Sequence, residues 1–183
     1  MRTIVLEGPD GAGKTTIAGL LVARHNARGN FAAEYWAHQR AHSADPWQSA
    51  LAYARQRARL AKRFLLSPEH NPDVLVIDRW WPSNWAQGGP AMQLAQIERK
   101  ALPAVDAIVW CGADDDTLDQ RLEGRGEPLP PDRFTVRTRY GVMSRCFDPQ
   151  WFRRQVSVDT SVDPVAAYEA AAAFLEPILQ GQR

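Results

Sequence analysis

The sequence has few cysteines and almost no net charge, and both features restrict what the protein can be. Cys111 and Cys146 show no C-x-x-C or other metal-ligand spacing, which indicates a reducing compartment and argues against a zinc site. The formal net charge is +1 over 183 residues. Such a balance gives no general positive field, so we expect no nucleic-acid partner.

Long apolar runs, internal repeats and low-complexity tracts are also missing. No run approaches the length of a membrane span, and residues 1–3 lead directly into a strand-like stretch without an apolar signal region. We therefore expect a cytoplasmic protein with no membrane partner. The composition, 45% hydrophobic and 23% charged, is typical of one globular domain spanning residues 1–183.

The strongest pattern that is present is a glycine-rich segment, residues 8–15, which fits G-x-x-x-x-G-K-[ST]. A strand-like run, 4–6, precedes it, and apolar residues at helical spacing follow it. Backbone N–H groups of such a loop point at phosphate oxygens, its lysine supplies positive charge, and its threonine hydroxyl can ligate Mg²⁺. We call residues 8–15 the phosphate loop. The predicted nucleotide-binding residues are Gly8, Gly11, Ala12, Gly13, Lys14, Thr15 and Thr16.

Strand-like and helix-like segments alternate along the chain, which predicts an α/β fold with a parallel sheet. The predicted strands are 2–7, 31–36, 73–77, 105–110 and 155–159. The predicted helices are 14–27, 46–66, 90–101, 114–123, 133–146 and 163–179. Asp163 and Pro164 are typical of a capped helix start.

Asp78 and Arg79 follow an apolar strand directly, and this position is the carboxyl edge of a parallel sheet. Ligands bind at that edge in open α/β sheets, so we expect both residues beside the phosphate loop. A carboxylate there can hold Mg²⁺ or its waters, with Thr15 as a second ligand. Arg79 could bind a second phosphate, because a guanidinium pairs with phosphate through two hydrogen bonds and stays charged.

Four segments together resemble thymidylate kinases, in the family's order and over nearly the whole chain. They are 7–16, 51–58, 78–84 and 132–134. The resemblance implies a three-layer P-loop kinase fold with a five-stranded parallel sheet, a short lid, ATP and Mg²⁺ as cofactors, and small nucleotides as substrates. It also implies a homodimer. The implied reaction is phosphorylation of a deoxynucleoside monophosphate, dTMP to dTDP.

The resemblance also implies roles around the acceptor nucleotide. Asp10 would face the acceptor phosphate and its metal, Tyr53 would stack on the base, and Arg57 would reach a base carbonyl. Tyr53 and Arg57 are one helical turn apart and therefore share a face. The implied lining of the base pocket continues in the third segment, at Ser83 and Asn84.

A segment rich in glycine and proline, 123–134, lies where the family has its lid, and we call it the lid segment. Family members carry a catalytic arginine either in the phosphate loop or in the lid. Gly11 occupies the position of the arginine in the phosphate loop, so the lid is expected to supply the arginine here. Arg125 is the first candidate and Arg133 the second, while Arg121 is expected to be a helix residue that supports the lid segment.

The sequence departs from the family at three places, which leaves the substrate open. Arg40 lies in a segment that replaces the family's acceptor-phosphate arginine, and Gln87 replaces a tyrosine that crowds the sugar 2′ position. Trp80, Trp81 and Trp85 fit either a reshaped base pocket or core packing. The alternatives are a kinase for another or modified deoxynucleoside monophosphate, and a nucleotide-dependent binding module without phosphotransfer. The chain has no N-K-x-D guanine-reading segment.

Overall fold

The computed structural model describes residues 2–25, 31–35, 46–65, 73–146, 148–161 and 163–180. The strands are β1 Arg2–Glu7, β2 Phe31–Tyr35, β3 Val74–Asp78, β4 Ala107–Gly112 and β5 Gln155–Asp159. The helices are α1 Lys14–His25, α2 Pro46–Leu60, α3 Trp81–Gln87, α4 Gly89–Ala101, α5 Asp115–Glu123, α6 Arg133–Met143 and α7 Pro164–Leu179. A π-helical turn, Ala61–Leu65, continues α2.

The strands form one sheet in the order β2-β3-β1-β4-β5, and every neighbouring pair is parallel. Helices cover both faces, which explains why β1, β3 and β4 are apolar at successive positions rather than at alternate ones. On one face Ile4, Leu6 and Val76 pack against α1 and α7. Val5 and Ile77 face the opposite side. The α/β class with a parallel sheet flanked by helices, predicted from the alternation, is confirmed.

The register of β1 and β3 positions the chemistry of the molecule. Leu6 pairs with Asp78 at the carboxyl end of the two strands, and the backbone N–H of Arg79 donates to the Leu6 carbonyl at 2.9 Å. The chain that leaves β1 is the phosphate loop. The loop and the Asp78-Arg79 pair therefore lie side by side, as the sheet-edge argument predicts.

Several predicted boundaries are wrong. α3 was not predicted, because its seven residues are too few to show a clear helical period. β4 begins at residue 107 rather than 105. There the side chain of Asp106 accepts a hydrogen bond from the backbone of Thr3 at 2.8 Å, so this residue buttresses the sheet edge instead of extending the strand.

Two helices also end earlier than predicted, whereas the start of α7 is confirmed. α6 stops at Met143, not at 146, and α2 ends at Leu60 before the π turn. The predicted cap at the start of α7 is present, because Asp163 accepts a hydrogen bond from Val165 N at 2.9 Å. The predicted ends of α1 and β2, residues 26–27 and 36, lie outside the described part of the chain.

Gly8→Ala tests how tightly the phosphate loop is packed against β4. The residue has φ +148°, and a Cβ atom would lie 2.0 Å from the carbonyl oxygen of Cys111. We expect the free energy of unfolding to fall by about 3 kcal/mol through backbone strain and overpacking. Gly141→Ala is the matched control, because a Cβ there meets nothing within 4 Å and alanine favours helix α6. Urea unfolding measures the stability of both variants. Equal stability of the two would contradict the tight packing of Gly8 against β4.

Candidate functional site

The phosphate loop joins β1 to the N-terminus of α1, a helix of 12 residues. Backbone N–H groups at such a terminus are free to bind an anion, and the helix dipole adds to the attraction. Gly11 has φ +85°, and a Cβ there would lie 3.0 Å from the carbonyl oxygen of Leu118 in α5. Any side chain at this position, an arginine included, would therefore strain the backbone and crowd Leu118.

Lys14 lies across the loop, buried at 6% exposure, with Nζ donating to the carbonyl of Pro9 at 2.6 Å. Burial, and then the charge of Arg79, lower the pKa of Lys14, against the opposing effect of Asp10 and Asp78. An anion bound in the loop would raise this pKa again, because an opposite charge favours the protonated amine. Lys14 thus has a partner in the free protein and a charge suited to phosphate.

Thr15 and Asp78 meet as predicted, with Thr15 Oγ1 donating to Asp78 Oδ2 at 2.6 Å. Asp78 is buried, and its other oxygen, Oδ1, has no hydrogen-bond partner among the described residues. A buried carboxylate oxygen without a partner is costly and requires an explanation. The oxygen would fit Mg²⁺, since this ion binds proteins through one or two oxygen ligands and completes its shell with waters and phosphate oxygens.

Arg79 is fixed between the phosphate loop and α3. Its Nη1 donates to the carbonyl of Gly8 at 3.2 Å and to Tyr140 Oη at 3.0 Å, and its Nη2 donates to Asp10 Oδ1 at 2.5 Å. Burial alone would lower the pKa of Arg79, but the carboxylate of Asp10 and other neighbours raise it. The φ of this residue is +79°, a conformation that costs a non-glycine residue about 1–3 kcal/mol.

Glu7 lies beneath Arg79 and is fully buried. It accepts hydrogen bonds from Trp80 N at 2.5 Å and from Ser83 Oγ at 2.8 Å, and Tyr140 Oη lies 3.3 Å from it. Burial raises the pKa of Glu7, and Arg79 opposes that shift. No role was predicted for Glu7 or Tyr140. An acidic residue at the end of the apolar run of β1 was a signal for Glu7, whereas no sequence pattern indicated Tyr140.

The two base-pocket residues implied by the resemblance, Arg57 and Asn84, are brought together through Glu98. Arg57 Nε and Nη2 donate to the two oxygens of Glu98 at 2.6 and 3.0 Å, and Asn84 Nδ2 donates to Glu98 Oε2 at 2.8 Å. All three residues are buried. Glu98 was not among the predicted site residues, although it occupies the apolar face of α4 with Ala91, Leu94 and Ala95.

The other residues of the predicted pocket differ in exposure. Tyr53 is half-buried on α2, one turn before Arg57, and Gln87 is exposed at the end of α3. Ser83 contacts Glu7 and Arg79 rather than Asn84. Trp80 and Trp81 are buried in the core, so core packing accounts for them. Arg40 lies outside the described residues.

The lid segment connects α5 to α6, and its two candidate arginines differ in how firmly they are held. Arg125 has a half-exposed side chain and lies 3.4 Å from Glu127. Arg133 Nε donates to Asp119 at 3.1 Å, and its guanidinium stacks on Phe134. Arg137 also donates to Asp119. Arg133 therefore braces α6 against α5, while an exposed pair such as that of Arg125 holds its partners weakly.

Arg121 supports the phosphate loop from α5, whereas the sequence led us to expect support of the lid segment. Its Nη1 donates to the carbonyl of Gly11 at 3.1 Å, and its Nη2 donates to the carbonyl of Thr160 at 2.5 Å. These bonds connect the loop to the chain that follows β5. Arg121 thus shapes the loop through backbone carbonyls.

Comparison with known proteins identifies the fold. No family model and no curated protein matches the sequence. The structure of a thymidylate kinase from Candida albicans, described as revealing the origin of broad substrate specificity, matches with a TM-score of 0.65. The match covers 97% of this chain and 92% of that chain at 15% sequence identity. The two proteins therefore share a fold. Within the described residues, no helix has the length and apolar character to cross a membrane.

Tyr140→Phe tests the hydrogen-bond network around Glu7 and Arg79. The change removes a hydroxyl that lies 3.0 Å from Arg79 Nη1, 3.0 Å from Ser83 Oγ and 3.3 Å from Glu7 Oε2, so we expect the loss of these buried hydrogen bonds to lower the free energy of unfolding by about 1–2 kcal/mol. Tyr53→Phe is the control, because the hydroxyl of Tyr53 bonds no other described residue. Chemical denaturation measures both variants. A Tyr140 variant as stable as the control would show that the network contributes nothing to the fold.

Proposed function

We propose that this protein is an ATP-dependent nucleoside monophosphate kinase that converts dTMP to dTDP. The observation that carries the proposal is the position of Asp78 and Arg79 beside the phosphate loop, at the ends of paired strands. The phosphate loop suits the phosphates of a donor nucleotide, and the adjacent, fixed Arg79 suits the phosphate of an acceptor nucleotide. The fold shared with a thymidylate kinase supports the same conclusion.

The reaction requires positioning and charge more than acid–base chemistry. The acceptor already carries a nucleophilic phosphate oxygen, so no general base is needed. Lys14 and the backbone N–H groups of the loop bind the β- and γ-phosphates of ATP. Arg79, held by Asp10 and Tyr140, orients the acceptor phosphate. Because Arg79 is already ordered before a substrate arrives, little reorganisation is required during transfer.

Thr15 and Asp78 are the residues that would hold Mg²⁺, and the unpartnered oxygen of Asp78 is the group available to it. The ion would neutralise charge on the phosphates of ATP. Without the ion, the same oxygen would face the phosphates as an unpaired negative charge. A need to bind the ion would explain why the carboxylate of Asp78 lies so near a site for phosphate.

The lid segment would close over the phosphates and exclude water. Arg125 is the residue that we assign to the transferring phosphoryl group, because its weak pair with Glu127 leaves the side chain free to move. Arg133 is assigned to bracing the lid, through Asp119. The base would stack on Tyr53 and be read by Arg57 and Asn84. Gln87 stands where the family has a tyrosine that crowds the sugar 2′ position, so we expect only partial rejection of ribose.

Lys14→Ala and Asp78→Ala test the phosphate and metal roles. Each removes a charge that acts on the transferring group, so we expect kcat/KM with dTMP and MgATP to fall by about 10²–10³-fold. Lys100→Ala and Asp116→Ala, at exposed positions, are the matched controls and should retain activity. Thermal unfolding verifies that the variants are folded. Turnover close to wild type in either site variant would refute its assigned role.

Arg125→Ala and Arg133→Ala separate catalysis from bracing in the lid segment. The first should lower kcat by about 10²-fold with little change in KM, since an interaction made in the transition state has that signature. The second should lower the unfolding midpoint and affect kcat less. Steady-state kinetics and thermal scans measure both variants. If the two patterns are exchanged, Arg133 is the catalytic arginine.

A further inference from the structure

Glu98 places a carboxylate in the apolar core between α2, α3 and α4. The residue is 5% exposed and Arg57 is 2% exposed, so both ends of their ion pair have lost their water. A buried pair of this kind contributes little net stability, because desolvation offsets the attraction. Its presence therefore calls for a function other than holding the helices together. The neighbours of Glu98 indicate which function.

The side-chain amide of Asn84 has a defined orientation because of Glu98. One terminal atom of this amide lies 2.8 Å from Glu98 Oε2 and 3.3 Å from the carbonyl oxygen of Ala50. Both of these groups can only accept hydrogen bonds, so the atom between them must be the nitrogen. The oxygen of the amide lies on the opposite branch. Asn84 is thus left with an acceptor to offer to a ligand.

Arg57 is oriented by the same carboxylate. Its Nε and Nη2 both donate to Glu98, so the guanidinium plane is fixed by a two-point contact. The nitrogen that this contact leaves is Nη1, which can only donate. Glu98 therefore sets one donor on α2 and one acceptor on α3 at the same time.

We propose that Glu98 is a positioning residue that selects the hydrogen-bonding edge of the acceptor base. A fixed donor and a fixed acceptor, both set by Glu98, complement a base with a carbonyl next to an N–H, which thymine and uracil present as O4 and N3–H. Cytosine presents an amino group and a bare nitrogen, the opposite pattern. This inference rests on the proposed function, because it assumes that Arg57 and Asn84 line the acceptor site.

Glu98→Gln should remove the selection of thymine over cytosine, while the side chain keeps nearly the same size and shape. The glutamine carries a donor as well as an acceptor, so it can pair with the oxygen of Asn84 and let the amide turn over. Arg57 also loses its countercharge. We expect the ratio of the Kd of dCMP to that of dTMP to fall by about tenfold or more, because a mismatched buried polar group is the source of this kind of discrimination.

The test is isothermal titration calorimetry of dTMP and dCMP into the full chain without ATP. The wild type should bind dTMP more tightly, and Glu98→Gln should lose most of that preference. Glu169→Gln is the matched control, because Glu169 is an exposed carboxylate paired with Arg24, and its ratio should equal the wild-type ratio. Tighter wild-type binding of dCMP would overturn the proposal, and so would absence of binding of both nucleotides.

A structural role alone would lower the unfolding midpoint of Glu98→Gln and leave the ratio unchanged, and that result also overturns the proposal. If this variant does not fold, Glu98→Asp keeps a negative charge near Arg57 but shortens the side chain, which weakens the contacts of the carboxylate with both Arg57 and Asn84. The ratio of the Kd of dCMP to that of dTMP should fall by about threefold in this variant, and an unchanged ratio contradicts the inference. Failure of the proposed function is distinguishable, because it would show as intact selective binding without phosphoryl transfer.

Discussion

The hydrogen bonds around Glu7 are the interaction on which the rest of the site depends. Glu7 ends β1 and accepts from Trp80 N and Ser83 Oγ, so it joins the strand before the phosphate loop to the start of α3. Arg79 lies between these points at positive φ. The bonds to Glu7 offset the cost of that backbone conformation. Without these bonds, Arg79 would not be held in position to donate to the carbonyl of Gly8 and to Asp10.

Two buried carboxylates therefore organise the molecule, and they do so in different ways. Glu7 is surrounded by neutral donors, with Arg79 nearby, and it fixes backbone. Glu98 is paired with a charged group, Arg57, and it fixes side chains. The first arrangement positions phosphate groups, and in our account the second positions a base. Both are expensive to bury and have to be fully hydrogen-bonded to persist.

Features that depend on neighbouring residues could be predicted from the sequence, whereas contacts between distant segments could not. The phosphate loop, the alternating elements and the pair Asp78-Arg79 are local, and the structure contains them where they were expected. Glu98 reaches Arg57 across 41 positions of the chain, and Tyr140 reaches Glu7 across 133. No periodicity encodes such pairs. α3 was missed because its seven residues are too few to show a helical period.

The central claim, transfer of a phosphoryl group to a pyrimidine deoxynucleotide, has one direct test. Phosphorus-31 NMR of the purified protein with MgATP and dTMP follows every phosphate in the mixture. Our account predicts that the signals of dTDP and ADP grow together as those of dTMP and ATP decline. Release of inorganic phosphate with dTMP unchanged, or spectra that do not change although dTMP binds, would contradict it.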